Sequence, residues 1–148
     1  MKTHHEHPDG GVADEARRIF TLPGFSADIG IELERLAPGE CETSLKLAPR
    51  HLQQDGYVHA GVQATLADHT GGGAGATLLA EGKIVLSVEF KINLLRPAKG
   101  ESLRCRAKIL KAGKTISVAE SEVYAVTDGK ETLVSKATIT LAVLARPK

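Results

Sequence analysis

The chain has 148 residues, enough for one domain with a proper core. Its 19 basic and 18 acidic side chains, its net charge of +1 and its 3% aromatic content without Trp exclude the clustered basic footprint and the stacking surface of a nucleic-acid binder. No run approaches the ~18 apolar residues of a membrane span, and the first residues lack the apolar core of a secretory leader. Cys41 and Cys105 have no metal or redox spacing and read as reduced core residues, so a cytoplasmic protein without a metal or membrane is expected.

In chain order, residues 1–11 are polar, carry Pro8, Gly10 and Gly11, and read as a flexible arm. His4, His5 and His7 belong to that arm. Residues 12–148 form the single domain. Asp14 to Phe20 is a short amphipathic helix, with Val12, Ala16, Ile19 and Phe20 on one side. Pro23-Gly24 ends it. Phe25 to Leu36 reads as a strand, with Ile29, Ile31 and Leu33 opposing Glu32 and Glu34. After Pro38-Gly39, Cys41, Thr43, Leu45 and Leu47 alternate with Glu42, Ser44 and Lys46, as in a half-buried strand.

A helix follows from about His59 to Leu79, apolar almost all round at Val62, Ala64, Leu66 and Ala67, and therefore buried. Gly71 to Gly75 lacks the Gly-Lys-Ser/Thr ending of a phosphate loop. It reads as bare backbone for close packing, which would weaken the helix or end it early. Four strands complete the chain. In Val85 to Leu95, Leu86, Val88, Phe90, Ile92 and Leu94 alternate with Ser87, Glu89, Lys91 and Asn93. Leu103 to Ile109, Ile116 to Val126 and Leu133 to Leu144 are the others, joined by short turns that make neighbours antiparallel. One curved antiparallel sheet covers part of such a helix; the rest needs a second subunit.

The chemistry gathers on the central helix. Ala60 and Gly61 fall in its first turn, where backbone N–H groups lack intrahelical partners and carry the positive end of the dipole. They suit the oxyanion of an acyl-transfer intermediate. Asp68 is a carboxylate in an apolar stretch, an expected desolvated acid or base. It lies eight residues beyond Ala60, ~12 Å along the axis. One helix cannot set both groups against the same carbonyl, whereas two antiparallel copies can. Gln53 or Gln54 is placed to bind water or a substrate carbonyl, and Ser87 to steady a carboxylate. No nucleophile elbow is present, so His59 and His69 read as structural on chemistry alone.

These residues resemble the hotdog-fold acyl-CoA thioesterases of the phenylacetate-pathway type. The resemblance rests on Gln53-Gln-Asp-Gly56-Tyr-Val-His59-Ala60-Gly61 with Asp68 nine residues after His59, on Ser87-Val88-Glu89, on Leu95-Arg96-Pro97-Ala98, and on Gly113-Lys114-Thr115. It covers residues 25 to 144. It implies an α+β hotdog fold, with a curved antiparallel sheet wrapped around one long helix. It implies hydrolysis of an acyl-CoA, with Asp68 as nucleophile or general base, the Ala60 N–H polarising the thioester carbonyl, Gln53 placing water or substrate, and Ser87 supporting Asp68. His59 and Gly61 then belong to the acyl site, and Arg96, Lys99, Lys114 and Thr115 to the coenzyme A phosphates. The family's commoner residues are Asn at 53, Gly at 60 and Arg at 114; Lys114 weakens a bidentate phosphate contact. No cofactor beyond the coenzyme A of the substrate is implied. The expected assembly is a homodimer with shared active sites, paired into a dimer of dimers. Two alternatives share the fold: a hydratase or dehydratase, whose His-Phe-Pro-type motif is absent, and a non-catalytic acyl-CoA-binding protein, which needs no acid at 68.

Overall fold

The computed structural model describes residues 14–148; the proposed arm, its three histidines and Val12 lie outside the described residues. The elements are α1 (Asp14–Thr21), α2 (Phe25–Ile29), β1 (Ile31–Ala37), β2 (Glu40–Lys46), a 3₁₀ turn (Pro49–His51), α3 (Ala60–Ala76), β3 (Lys83–Leu94), β4 (Ser102–Lys111), β5 (Ile116–Thr127) and β6 (Lys130–Ala145). All strands join one antiparallel sheet in the order β1-β2-β4-β5-β6-β3. The long helix α3 packs against every strand of it. This is the sheet-around-helix architecture that the motifs imply. No helix among the described residues is long and apolar enough to cross a membrane.

The alternation of β2, β4 and β5 translates directly into packing. Leu45, Leu103, Cys105, Ala119 and Val123 are buried beneath α3, joined by Ile139 and Leu141 of β6. The opposite face is charged. There the Arg106 guanidinium grips Glu131 in a two-pronged pair at 2.7 and 2.8 Å and reaches Glu42 at 2.9 Å. That pairing holds the Glu131 carboxyl below its ordinary range. Buried hydroxyls tie the helix to the sheet. Ser121 Oγ donates to the Ala67 carbonyl at 2.7 Å, and the Thr43 and Thr70 hydroxyls bond each other at 2.7 Å. Both cysteines are free and buried. Burial pushes the Cys105 thiol up to about 12 and raises Cys41 as well. Both therefore stay protonated, and neither is a nucleophile.

Two readings of the strands need correction. Phe25 to Ile29 is not strand but the short helix α2, stopped by Gly30 in the left-handed conformation at φ 96°. The strict alternation along β3 also fails. A bulge between Ser87 and Glu89 shifts the register against β6. Before it Ser87 pairs with Leu141, and after it Phe90 pairs with Ile139. Directly opposed residues share a face. Ser87 and Phe90 therefore both face α3, while Leu86, opposite Ala142, turns to the other side. Alternation alone would have put Ser87 on the face away from Phe90; the bulge re-aims it.

The glycines do not end α3, which runs on to Ala76. A Cβ on Gly73 would stand 2.8 Å from two ring carbons of Phe20 and 2.9 Å from Cys41 Sγ. Gly73→Ala is therefore expected to lower the melting temperature. Overpacking costs ~1–3 kcal/mol and outweighs the ~1 kcal/mol gained in helix propensity. Thermal unfolding followed by circular dichroism checks this.

The sheet leaves one stripe of α3 uncovered: Gly61 is exposed, and Ala64, Thr65, Asp68 and Gly72 are half-buried. Asp68 is thus less desolvated in the single chain than the apolar surroundings led one to expect. Beside that stripe, the edge strand β3 exposes Leu86, Val88, Phe90 and Leu94. An exposed apolar edge strand invites pairing with another chain.

Candidate active site

The start of α3 is built by its own cap. His59 is the N-cap residue, and its Nδ1 accepts the Gly61 N–H at 2.8 Å. In the neutral ring, Nε2 then carries the proton. This settles which of the two first-turn donors is open. The Gly61 N–H is occupied by His59 and is not free for an oxyanion. The Ala60 N–H has no acceptor among the described residues, and the residue is exposed.

Ala60 lines a cleft of about 460 Å³ together with Gln53, Tyr57, Gln63, Leu95 and Arg96. The turn before the helix is closed by Gln53 N–H donating to the Tyr57 carbonyl at 2.8 Å. The Gln53 side-chain oxygen accepts the Asp55 N–H, and its amide nitrogen has no acceptor among the described residues. Gln54 is exposed and bonds Asp55 instead, so Gln53 is the glutamine of the cleft. Arg96 donates to the Leu133 carbonyl at 2.9 Å with Nη1, and its other N–H groups remain exposed. Lys99 lies next to the cleft, 5.8 Å above the Tyr57 ring.

Asp68 is not part of that cleft. It faces Ser87, whose Oγ donates to Asp68 Oδ1 at 2.6 Å. Ser87, Leu141 and Ser117 lie side by side across β3, β6 and β5. That level of the sheet is next to the turn holding Gly113, Lys114 and Thr115, where both Lys114 and Thr115 are exposed. Arg96 follows the other end of β3, where Leu94 pairs with Ser135. Ser87 and Leu94 are ~20 Å apart along an extended strand. The candidate site residues therefore fall into two groups within one chain. Gln53, His59, Ala60, Gly61, Arg96 and Lys99 stand at one end, and Asp68, Ser87, Lys114 and Thr115 at the other.

One residue of the cleft was not singled out from the sequence. Gln63 reads as one more position of the helix, yet it lines the cleft and is buried. His69 is structural as expected, its ring set edge-on to Phe20 at 4.8 Å. Burial lowers its pKa, while Asp68 and the Ile19 backbone act the other way. The unfolded chain therefore binds a proton that the folded chain resists. This contribution to stability is complete above the unfolded value of ~6.5 and is lost as pH falls below it. The drop in melting temperature between pH 7 and pH 5 should be smaller in His69→Gln than in the wild type.

The pattern of the thioesterase superfamily matches residues 55–132, a little over half of the chain. The chain belongs to the thioesterase superfamily. Acyl-coenzyme A thioesterase 13 of Mus musculus is 33% identical over 115 residues, covering 76% of this chain and 81% of that protein. The 1,4-dihydroxy-2-naphthoyl-CoA hydrolase of Listeria monocytogenes is 28% identical over 125 residues, covering 84% and 99%. The crystal structure of a thioesterase family protein from Silicibacter pomeroyi superposes with a TM-score of 0.86 at 37% identity, over 88% of this chain and 96% of that one. The fold is the hotdog fold, and the activity of this thioesterase is hydrolysis of a thioester.

Proposed function

We propose that the protein hydrolyses acyl-CoA thioesters at sites shared between two antiparallel copies of the chain. The observation that carries this reading is the division of the site residues. A free oxyanion donor at Ala60 stands at one end of α3, and a carboxylate held by Ser87 stands two turns away on the uncovered stripe. The exposed apolar edge of β3 beside that stripe supports the same pairing. The names of the mouse and Listeria relatives support coenzyme A as the carrier.

The thioester carbonyl oxygen accepts hydrogen bonds from the Ala60 N–H and a Gln53 amide N–H of one chain. Both donors strengthen their hold as negative charge develops on that oxygen. Asp68 of the partner subunit either takes a proton from an attacking water or attacks the carbonyl carbon itself. In the first case the new C–O bond comes from water, the C–S bond breaks, and the sulfur leaves as a thiolate that gains the proton. In the second, an Asp68 oxygen bonds to the carbonyl carbon as the C–S bond breaks and the thiolate leaves; water then opens the resulting anhydride, freeing the acid and the Asp68 carboxylate, and a proton from that water goes to the thiolate. Ser87 holds the carboxylate in either case. Release of free thiol from a panel of acyl-CoAs tests the function, and silence across the panel would overturn it.

The coenzyme A phosphates lie against Arg96 and Lys99 of one chain and Lys114 and Thr115 of the other. Exposed phosphate contacts are screened by salt. Arg96→Ala and Lys114→Ala should each raise KM more than they lower kcat, and added salt should raise the wild-type KM. Unchanged KM in both variants would dismiss this assignment. We also propose that dimers pair into tetramers, which light scattering on the purified protein tests.

A further inference from the structure

We propose that His51 is a positioning residue for this reaction: its imidazole ties the end of α2 to the start of α3 and so fixes where the Ala60 N–H points. This rests on the acyl-CoA thioesterase reading above and adds to it the group that sets the oxyanion donor.

The first turn of α3 cannot hold itself in place by packing. Ala60 and Gly61 are exposed, and neither has a side chain long enough to reach the core. Backbone hydrogen bonds ahead of the helix tether it instead. The Val58 N–H donates to the Ala98 carbonyl and the His59 N–H to the His51 carbonyl, each at 2.9 Å. Leu52 and Val58 bridge the two arms of the turn between them, which brings His51 and His59 together at its base. The position of the N-cap residue His59, and with it that of the Ala60 N–H, therefore follows the position of His51.

His51 is in turn held by its ring. It is 2% exposed, and both ring nitrogens are bonded. Nδ1 accepts the Ala48 N–H at 3.0 Å and is therefore unprotonated. Nε2 donates to the Ile29 carbonyl at 2.6 Å, since a carbonyl can only accept. The two bonds differ in reach. The Ala48 contact stays within the 3₁₀ turn, which is closed in any case by the His51 and Leu52 N–H groups on the Ala48 and Pro49 carbonyls, at 2.9 and 3.1 Å. The Ile29 contact spans 22 residues to the last residue of α2, whose side chain packs against the main core. That contact couples the helix start to the core. A misplacement of ~1 Å caused by a change remote from the chemistry can cost ~100-fold in rate.

Two substitutions separate the bonds. His51→Gln places an amide nitrogen near the site of Nε2 and can keep the donor to Ile29. His51→Asn places an amide oxygen near the site of Nδ1 and can keep only the acceptor for Ala48. With an acyl-CoA that the wild type hydrolyses, His51→Asn should lower kcat at least ~10-fold and leave KM within ~2-fold, because the misplaced donor matters most in the transition state. His51→Gln should keep kcat within ~3-fold of the wild type. Amide hydrogen exchange followed by mass spectrometry locates the cause. In His51→Asn, residues 58–62 should exchange faster, while residues 70–76 at the far end of α3 keep the wild-type rate. Faster exchange at both ends together would mean a general loss of stability and would overturn the proposal. So would a His51→Gln chain no more active than His51→Asn, or a loss that falls on KM. His51→Ser, which cannot reach Ile29 either, stands in for His51→Asn if that chain does not fold, and a misfolded His51→Gln counts as a failed rescue. If no acyl-CoA is hydrolysed, the thioesterase reading fails. The exchange pattern then decides His51 independently, and wild-type exchange at residues 58–62 in His51→Asn would overturn its role.

Discussion

Asp68→Asn is expected to lower kcat by at least ~100-fold, the low end for loss of a general base. The amide keeps the shape of the side chain and can still meet the Ser87 hydroxyl, which donates at 2.6 Å in the wild type. It removes the charge that either attacks the carbonyl or deprotonates water. Asp68 is half-buried on the uncovered stripe of α3 and holds no part of the core, so the melting temperature and the assembly state should stay close to those of the wild type. Near-normal turnover in this variant would sink the mechanism. A single turnover in ¹⁸O-water separates the two roles of the carboxylate: label appears in the Asp68 side chain only when it attacks directly. Ser87→Ala should give a smaller loss in kcat, because it frees the carboxylate without removing it.

A second large effect is expected from mixing two inactive chains. Ala60→Pro deletes the N–H proposed to meet the substrate oxygen. The position tolerates proline well. Ala60 is the first helical residue, where proline is favoured, and His59 before it is already extended at φ −58° and ψ 137°. Each variant alone should be inactive. After subunit exchange between Ala60→Pro and Asp68→Asn chains, one site of each heterodimer carries both lesions and the other carries none. Activity should then return to about half the wild-type value per heterodimer. Verified heterodimers with no activity would place both groups in one chain and overturn the shared site.

What was legible in the sequence was local and periodic. The alternation in β2, β4 and β5 became a buried face because each of those strands is paired on both sides and has α3 above it. The motif from Gln53 to Asp68 lay open for the same reason. A helix start is a short-range event, and the distance between its first N–H and a carboxylate eight residues on follows from helix geometry alone. The proposal of a site shared with a second chain rests on this spacing.

Three features depended on partners far away in the chain. The bulge between Ser87 and Glu89 exists only in the pairing of β3 with β6, so the side chain that reaches Asp68 was readable as a residue and not as a direction. Gly61 looked as available as Ala60 until the His59 ring turned back onto its N–H, a choice of rotamer that no pattern of residue types records. Gln63 carries no signal of its own, since a glutamine in a helix is ordinarily solvated. It becomes part of the cleft because the turn at Val58 supplies a carbonyl to its amide while the segment after Leu94 walls it in. Periodicity thus determined most of the elements and the spacing between the candidate residues Ala60 and Asp68, since those follow from backbone geometry along the chain. Tertiary structure decided where Ser87 points, which N–H stays free and that Gln63 lines the cleft, because each of these is settled by atoms that only folding brings together.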